Sequence, residues 1–162
     1  MNAGRFVRAT FAFGLLVTLH YSVRPLLGWR VSGDFLVIGV LLMAVRMRPG
    51  YAALLGFLTG LVADSLAPTA FGAGALAMTA IAFTASWLKA VFFADNVVLH
   101  AFFFFVGKWA FDIIYTVAEQ RLTAGEMLAQ LVLWSPLSAA LTAVVGVVLL
   151  LVFRSALEPQ ST

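Results

Sequence analysis

Apolar residues run along this chain in six blocks separated by short polar breaks: Phe6 to Val23, Val31 to Val45, Tyr51 to Leu66, Ala73 to Phe93, Asn96 to Ala118 and Met127 to Phe153. A helix rising about 1.5 Å per residue needs about 20 such residues to cross a hydrocarbon core about 30 Å thick. The pattern therefore predicts an all-α membrane protein, a bundle of six transmembrane helices in a single integral membrane domain covering residues 1–162. The second and third blocks are short. Their uninterrupted apolar parts reach roughly 16 to 24 Å at the same rise, so they either thin the bilayer or form a partly inserted hairpin. Arg46, Met47, Arg48, Pro49 and Gly50 form a tight basic break between them.

Composition agrees with the pattern: 63% of residues are hydrophobic, 10% are charged, and the mean hydropathy is +1.04. With the chain divided this way, nothing is left over for a soluble domain, and no repeat at a solenoid period is visible. A net charge of +3 would suggest nucleic acid in a soluble protein, but here the cations sit singly or in pairs at the ends of apolar blocks, where they orient a membrane protein. No nucleic-acid partner is expected; the surrounding lipid is. If the N-terminus is inside, Arg5, Arg8, Arg46, Arg48, Lys89 and Arg154 face the cytoplasm and Arg24, Arg30 and Arg121 face out, which places both termini in the cytoplasm. The run from Met1 to Leu27 resembles a secretory signal, but His20, Tyr21, Arg24 and Pro25 stand where a small-residue cleavage site belongs, so it is read as uncleaved. Trp29, Trp87 and Trp134 near span ends suit interfacial anchoring or packing on neighbouring helices.

Polar residues inside the blocks are the candidates for chemistry, because ionisable groups in lipid are costly and face protein or water. Lys108, Asp112, Tyr115 and Glu119 are spaced 4, 3 and 4 apart and share one helical stripe. An uncompensated mid-membrane lysine costs at least about 2.5 to 3.5 kcal/mol, and the i,i+4 carboxylate of Asp112 can pair with it. Asp64 and Asp112 fall in the outward half, with Thr18, His20 and Arg24 of the first block. They could form a polar cluster that binds a partner helix, a small ligand or a proton, or simply an ion-pair network that holds the bundle. Gly56 and Gly60 form a GxxxG pair suited to close helix approach, and Gly72, Ala73, Gly74 and Ala75 open the fourth block in the same manner, after a turn marked by Pro68. Phe102 to Phe105 cover all sides of the fifth helix, so some must meet lipid. Pro136 should kink or loosen the sixth, with Ser135 and Ser138 placed to satisfy freed backbone groups. His20 and His100 have no ligand-spaced partners, there is no cysteine, and HExxH, GxSxG and Walker motifs are missing, so neither a metal nor a cofactor is expected.

From Asp34 to Lys89 the order of features resembles the MreD family of rod shape-determining membrane proteins. An aspartate opens an apolar span, Arg46 and Arg48 precede Pro49, Ala53 through Gly56 and Gly60 leads to Asp64, and Phe71, Gly72, Gly74 and Leu76 follow. Length and span count also match; the first, fifth and sixth blocks carry no family signature. The resemblance implies a non-catalytic component of bacterial cell elongation. It would bind the single-span periplasmic scaffold MreC and, directly or through it, the RodA polymerase, a class B penicillin-binding transpeptidase and the MreB filament. The family is also similar in fold to the substrate-binding S-components of energy-coupling-factor vitamin transporters, which supplies the rival reading of ligand capture. Against it, the first block lacks a clean small-xxx-small docking repeat and the loops are short. An intramembrane enzyme would need convergent groups such as Asp64 with Asp112, and no enzymatic activity is expected.

Overall fold

A computed structural model of the chain describes Gly14, Thr18 and residues 34–66, 70–89 and 96–157. Among these residues every regular element is helical: α1 (Phe35–Ala44), α2 (Pro49–Leu66), α3 (Ala73–Trp87), α4 (Val97–Glu119), α5 (Ala124–Ala129), a π-helical segment (Gln130–Trp134) and α6 (Ser135–Leu157). Three stretches, Pro49–Leu66, Val97–Glu119 and Ala124–Leu151, are long and apolar enough to cross a membrane. Helices α1 and α3 are apolar but shorter. Six full crossings are thus not what the described residues display, and the first predicted span lies outside them except for Gly14 and Thr18.

The helix boundaries have local causes. Asp34 caps α1 by accepting from the Val37 amide at 3.3 Å, and Asn96 caps α4 by accepting from Val98 at 2.9 Å. The break predicted at Pro49 and Gly50 closes two residues earlier than expected. Proline is the first residue of α2, where its missing N–H costs nothing, and the helix gains enough length to reach about 27 Å over its 18 residues. Gln120, in the left-handed region at φ 51°, ends α4.

Helix α1 is the centre of the packing. Nine of its ten residues are buried, as expected of a helix that is hydrophobic all round, and it touches α2, α3, α4 and α6. At 10 residues it spans about 15 Å, half a bilayer core, so it is an enclosed short helix rather than a lipid-exposed crossing. Around it, Leu41 fits against Gly107 of α4, where a β-carbon would lie 2.7 Å from the leucine Cδ1. Phe104, fully buried, fits against Gly146 of α6 in the same way, while Phe102 is 61% exposed toward the lipid side.

The sixth predicted span bends for a specific reason. Pro136 has no N–H and its ring crowds the carbonyl four residues earlier, so the helix widens into a π turn in which the Ser135 amide bonds Gln130 O. In that register the carbonyl of Leu131 would look to the absent proton of Pro136. The indole Nε1 of Trp109 on α4 donates to it instead, at 3.2 Å. The sequence pointed to Ser135 and Ser138 for this task; the structure assigns it to Trp109.

Candidate functional site

Helices α2 and α3 pack into the most extensively contacting pair of the bundle, and the small residues explain how. A β-carbon on Gly56 would sit 2.8 Å from the Met78 carbonyl carbon, and one on Gly60 would sit 2.5 Å from Ala75 Cα, so both glycines lie against α3 backbone. The GxxxG pair is therefore spent on an internal contact. Thr59, Thr79 and Thr84 return their hydroxyl protons to carbonyls four residues back, which leaves the helices apolar to their neighbours.

Asp64 closes the far end of this hairpin. It is 4% exposed, and its carboxylate accepts from the amides of Gly72 (2.9 Å), Gly74 (3.1 Å) and Ala75 (3.0 Å). Those are the cap residue and the second and third positions of α3, so Asp64 serves as an N-cap contributed from the preceding helix, with its charge at the positive end of the dipole. Two glycines make this possible. Gly72 adopts φ +99°, a conformation L side chains rarely take, and a β-carbon on Gly74 would collide with the Asp64 carboxylate.

A second polar centre lies on α4. Lys108 Nζ donates to Asp112 Oδ1 at 2.6 Å, the pair read from the sequence, and also to Asp34 Oδ2 at 3.2 Å, which was not. All three side chains are at most 16% exposed, and the ammonium also lies 4.9 Å from the Phe111 ring centre. Asp34 works twice, with Oδ1 capping α1 and Oδ2 on the lysine, and its own amide donates to Thr142 Oγ1 of α6 at 3.2 Å. Thr142 in turn donates to Ser138 O at 2.8 Å. The start of α1, the middle of α4 and the first turns of α6 are thereby joined. Of the rest of the predicted stripe, Tyr115 stacks on Phe111 with ring centres 5.7 Å apart, and Glu119 lies 3.8 Å from Arg121.

The two centres are separate. Asp64 binds amides of its own hairpin while Asp112 binds Lys108, so the joint outward cluster expected from the sequence does not assemble from them. Thr18, exposed, donates to Gly14 O at 2.9 Å, and His20 and Arg24 lie outside the described residues. No group of three or more potential metal ligands occurs among the described residues. Asp34 was read only as the aspartate that opens its apolar span, and its pairing with Lys108 was missed.

Charge is distributed by end. Arg46 and Arg48 flank Met47, whose carbonyl accepts from the buried Ser86 hydroxyl at 2.7 Å, tying the basic turn to the last turn of α3 beside Lys89. Partial withdrawal from solvent pulls the Arg46 guanidinium below the usual arginine range. Arg121 lies at the opposite end, with Glu126, whose carboxyl is held below the usual glutamate range by the Thr123 hydroxyl (2.7 Å) and amide (3.0 Å). The outer face of the α2–α3 hairpin is an open apolar groove of about 770 Å³ lined by Ala53, Phe57, Phe71, Leu76, Thr79 and Phe83. Comparison of the chain with protein-family models, with curated proteins and with solved structures finds no match in any of the three.

Proposed function

We propose that this chain is a non-catalytic membrane adaptor of the bacterial elongation machinery, MreD-like, that binds an MreC-like scaffold and thereby helps organise lateral peptidoglycan synthesis and cell shape. The observation that carries the proposal is local. Five of the residues behind the resemblance, Gly56, Gly60, Asp64, Gly72 and Gly74, interlock α2 with α3. The motif therefore has a physical task, to hold a rigid two-helix plate in lipid. A plate of that kind suits docking, since its polar groups are consumed internally and its exposed side chains, Leu54, Leu58, Phe71 and Leu76 among them, are apolar.

On this reading the chain is a multi-pass protein of the bacterial cytoplasmic membrane. The end that carries Arg46, Arg48 and Lys89 faces the cytoplasm, as do both termini. The scaffold's single transmembrane helix would be the direct partner, with the RodA-type polymerase, the class B transpeptidase and the MreB filament reached directly or through it.

The test is affinity capture of the full chain from detergent-solubilised bacterial membranes. Recovery of a single-span protein with a periplasmic domain, together with cell-wall synthases, is the expected result. Recovery of an ATPase coupling module, or of a stoichiometric vitamin-like metabolite, would replace the adaptor with an S-component-like transporter subunit.

A further inference from the structure

The end of the bundle that carries the basic turn combines two features to which the adaptor reading gives no binding role. The first is a cationic rim. The bond from Ser86 Oγ to Met47 O fixes Arg46 and Arg48 against the C-terminal turn of α3, and Lys89 follows Ser86 by three residues, about one turn. All three residues lie at the surface, Arg46 with its guanidinium partly withdrawn from solvent, and none has an ion-pair partner among the described residues. The described carboxylates lie in the other half of the bundle. Asp34 opens α1, Asp64 is near the end of α2, Asp112 and Glu119 occupy the second half of α4, and Glu126 follows.

The second feature is a groove of about 240 Å³ that climbs from mid-bundle to this rim between α3 and α4. Its walls include Ala80, Thr84 and Leu88 on one side and Phe102, Val106 and Ala110 on the other. The groove offers no free polar group on Thr84, whose hydroxyl donates to Ala80 O at 2.9 Å. Its mouth is open to the surroundings, with Leu88 46% and Phe102 61% exposed. Trp87, 68% exposed at the same level, stands where an interfacial aromatic belongs.

We propose that this end binds an anionic phospholipid, with its headgroup phosphate held by Arg46, Arg48 and Lys89 and one acyl chain lying in the α3–α4 groove. Charge complementarity selects the headgroup: a rim of three cations that no described carboxylate pairs with attracts an anion, and arginine matches phosphate in a forked geometry. The groove selects an aliphatic chain, since apolar walls that open into lipid have nothing polar to offer a peptide or a soluble metabolite. The inference rests on the membrane placement of the chain and not on the adaptor role.

Native mass spectrometry of the purified full chain, titrated with phosphatidylglycerol and with phosphatidylcholine of equal chain length, tests it. The anionic lipid should bind more tightly. Each cation removed should weaken it about fivefold, so the triple Arg46→Ala, Arg48→Ala, Lys89→Ala variant should lose about a hundredfold. The charge-retaining triple Arg46→Lys, Arg48→Lys, Lys89→Arg should bind at least about tenfold more tightly than the alanine triple, which guards against a variant that merely misfolds. Thr84→Leu, which fills the groove, should weaken a long-chain lipid more than a short-chain one with the same headgroup. Equal binding of the two headgroups, indifference to the alanine triple, or displacement of the lipid by soluble glycerol phosphate would overturn the proposal, the last by showing a site for the free anion.

Discussion

Asp64 and Lys108 are both buried charges in an apolar bundle, yet they are stabilised in opposite ways. Asp64 meets no cation among the described residues. Three amides within eleven residues of it absorb its charge, so the α2–α3 hairpin closes on itself. Lys108 meets two carboxylates, one in its own helix and one 74 residues away at the start of α1. The first arrangement makes a local unit; the second joins α4 to α1, far off in sequence, and through the Asp34 amide to α6. A membrane protein can thus place charge where it builds a part or where it binds parts together, and the consequences of losing each should differ in scale.

The largest effect expected is from Lys108→Met, which leaves Asp34 and Asp112 facing one another with the shared cation gone. Removing one partner of a buried ion pair costs about 3–5 kcal/mol, and thermal unfolding in detergent should show a global loss of stability. Asp64→Ala comes next. It leaves the Gly72, Gly74 and Ala75 amides unpaired, at about 1–3 kcal/mol for a buried group left unsatisfied. The damage should stay local, as faster hydrogen exchange at the start of α3 with α1 and α4 little changed; uniform acceleration across all helices would erase the distinction between the two centres.

Smaller effects sharpen the same contrast. Trp109→Phe removes the donor to the Leu131 carbonyl and should destabilise the α4–π contact by about 1 kcal/mol. Exchange at the π segment would report it, and no change there would mean that Leu131 is satisfied by other means. The least effect is at Glu126. Because its folded carboxyl titrates below the unfolded glutamate value, the capping interaction is fully present above that unfolded value. It is lost as pH falls through the lower folded one. NMR titration of Thr123 to Met127 should show the first turn of α5 fraying only on acidification, and fraying on alkalinisation instead would contradict the assignment.

What was legible in the sequence follows the same division. The parts of the Asp64 unit lie within twenty residues and each was visible, a GxxxG pair, a carboxylate, then glycines at the next helix start, but their joint task was not: Asp64 was grouped with Asp112 rather than with the Gly72, Gly74 and Ala75 amides that it caps. The i,i+4 pairing of Lys108 with Asp112 was readable because both lie on one helical stripe. Asp34 was not, because a pairing across 74 residues leaves no trace in spacing. The start of α3 at Ala73 was placed correctly, since Gly72 marks it. Pro49 was mistaken for a break because proline punctuates loops as readily as it opens helices. Pro136 announced a disturbance in the last helix, but the donor that repairs it, Trp109, sits on another helix and could be found only by packing. The α1 segment read as a short span, and its enclosure by four neighbours is a tertiary fact.

The most direct measurement of the account is a mutant cycle on thermal stability that compares Lys108→Met alone with Lys108→Met combined with Asp34→Asn and Asp112→Leu. If the lysine joins α1 to α4 through the two carboxylates, the combined variant should recover part of the stability lost in the single one, because neither carboxylate is left beside a missing cation. Losses that simply add would show that the three residues do not act as a unit.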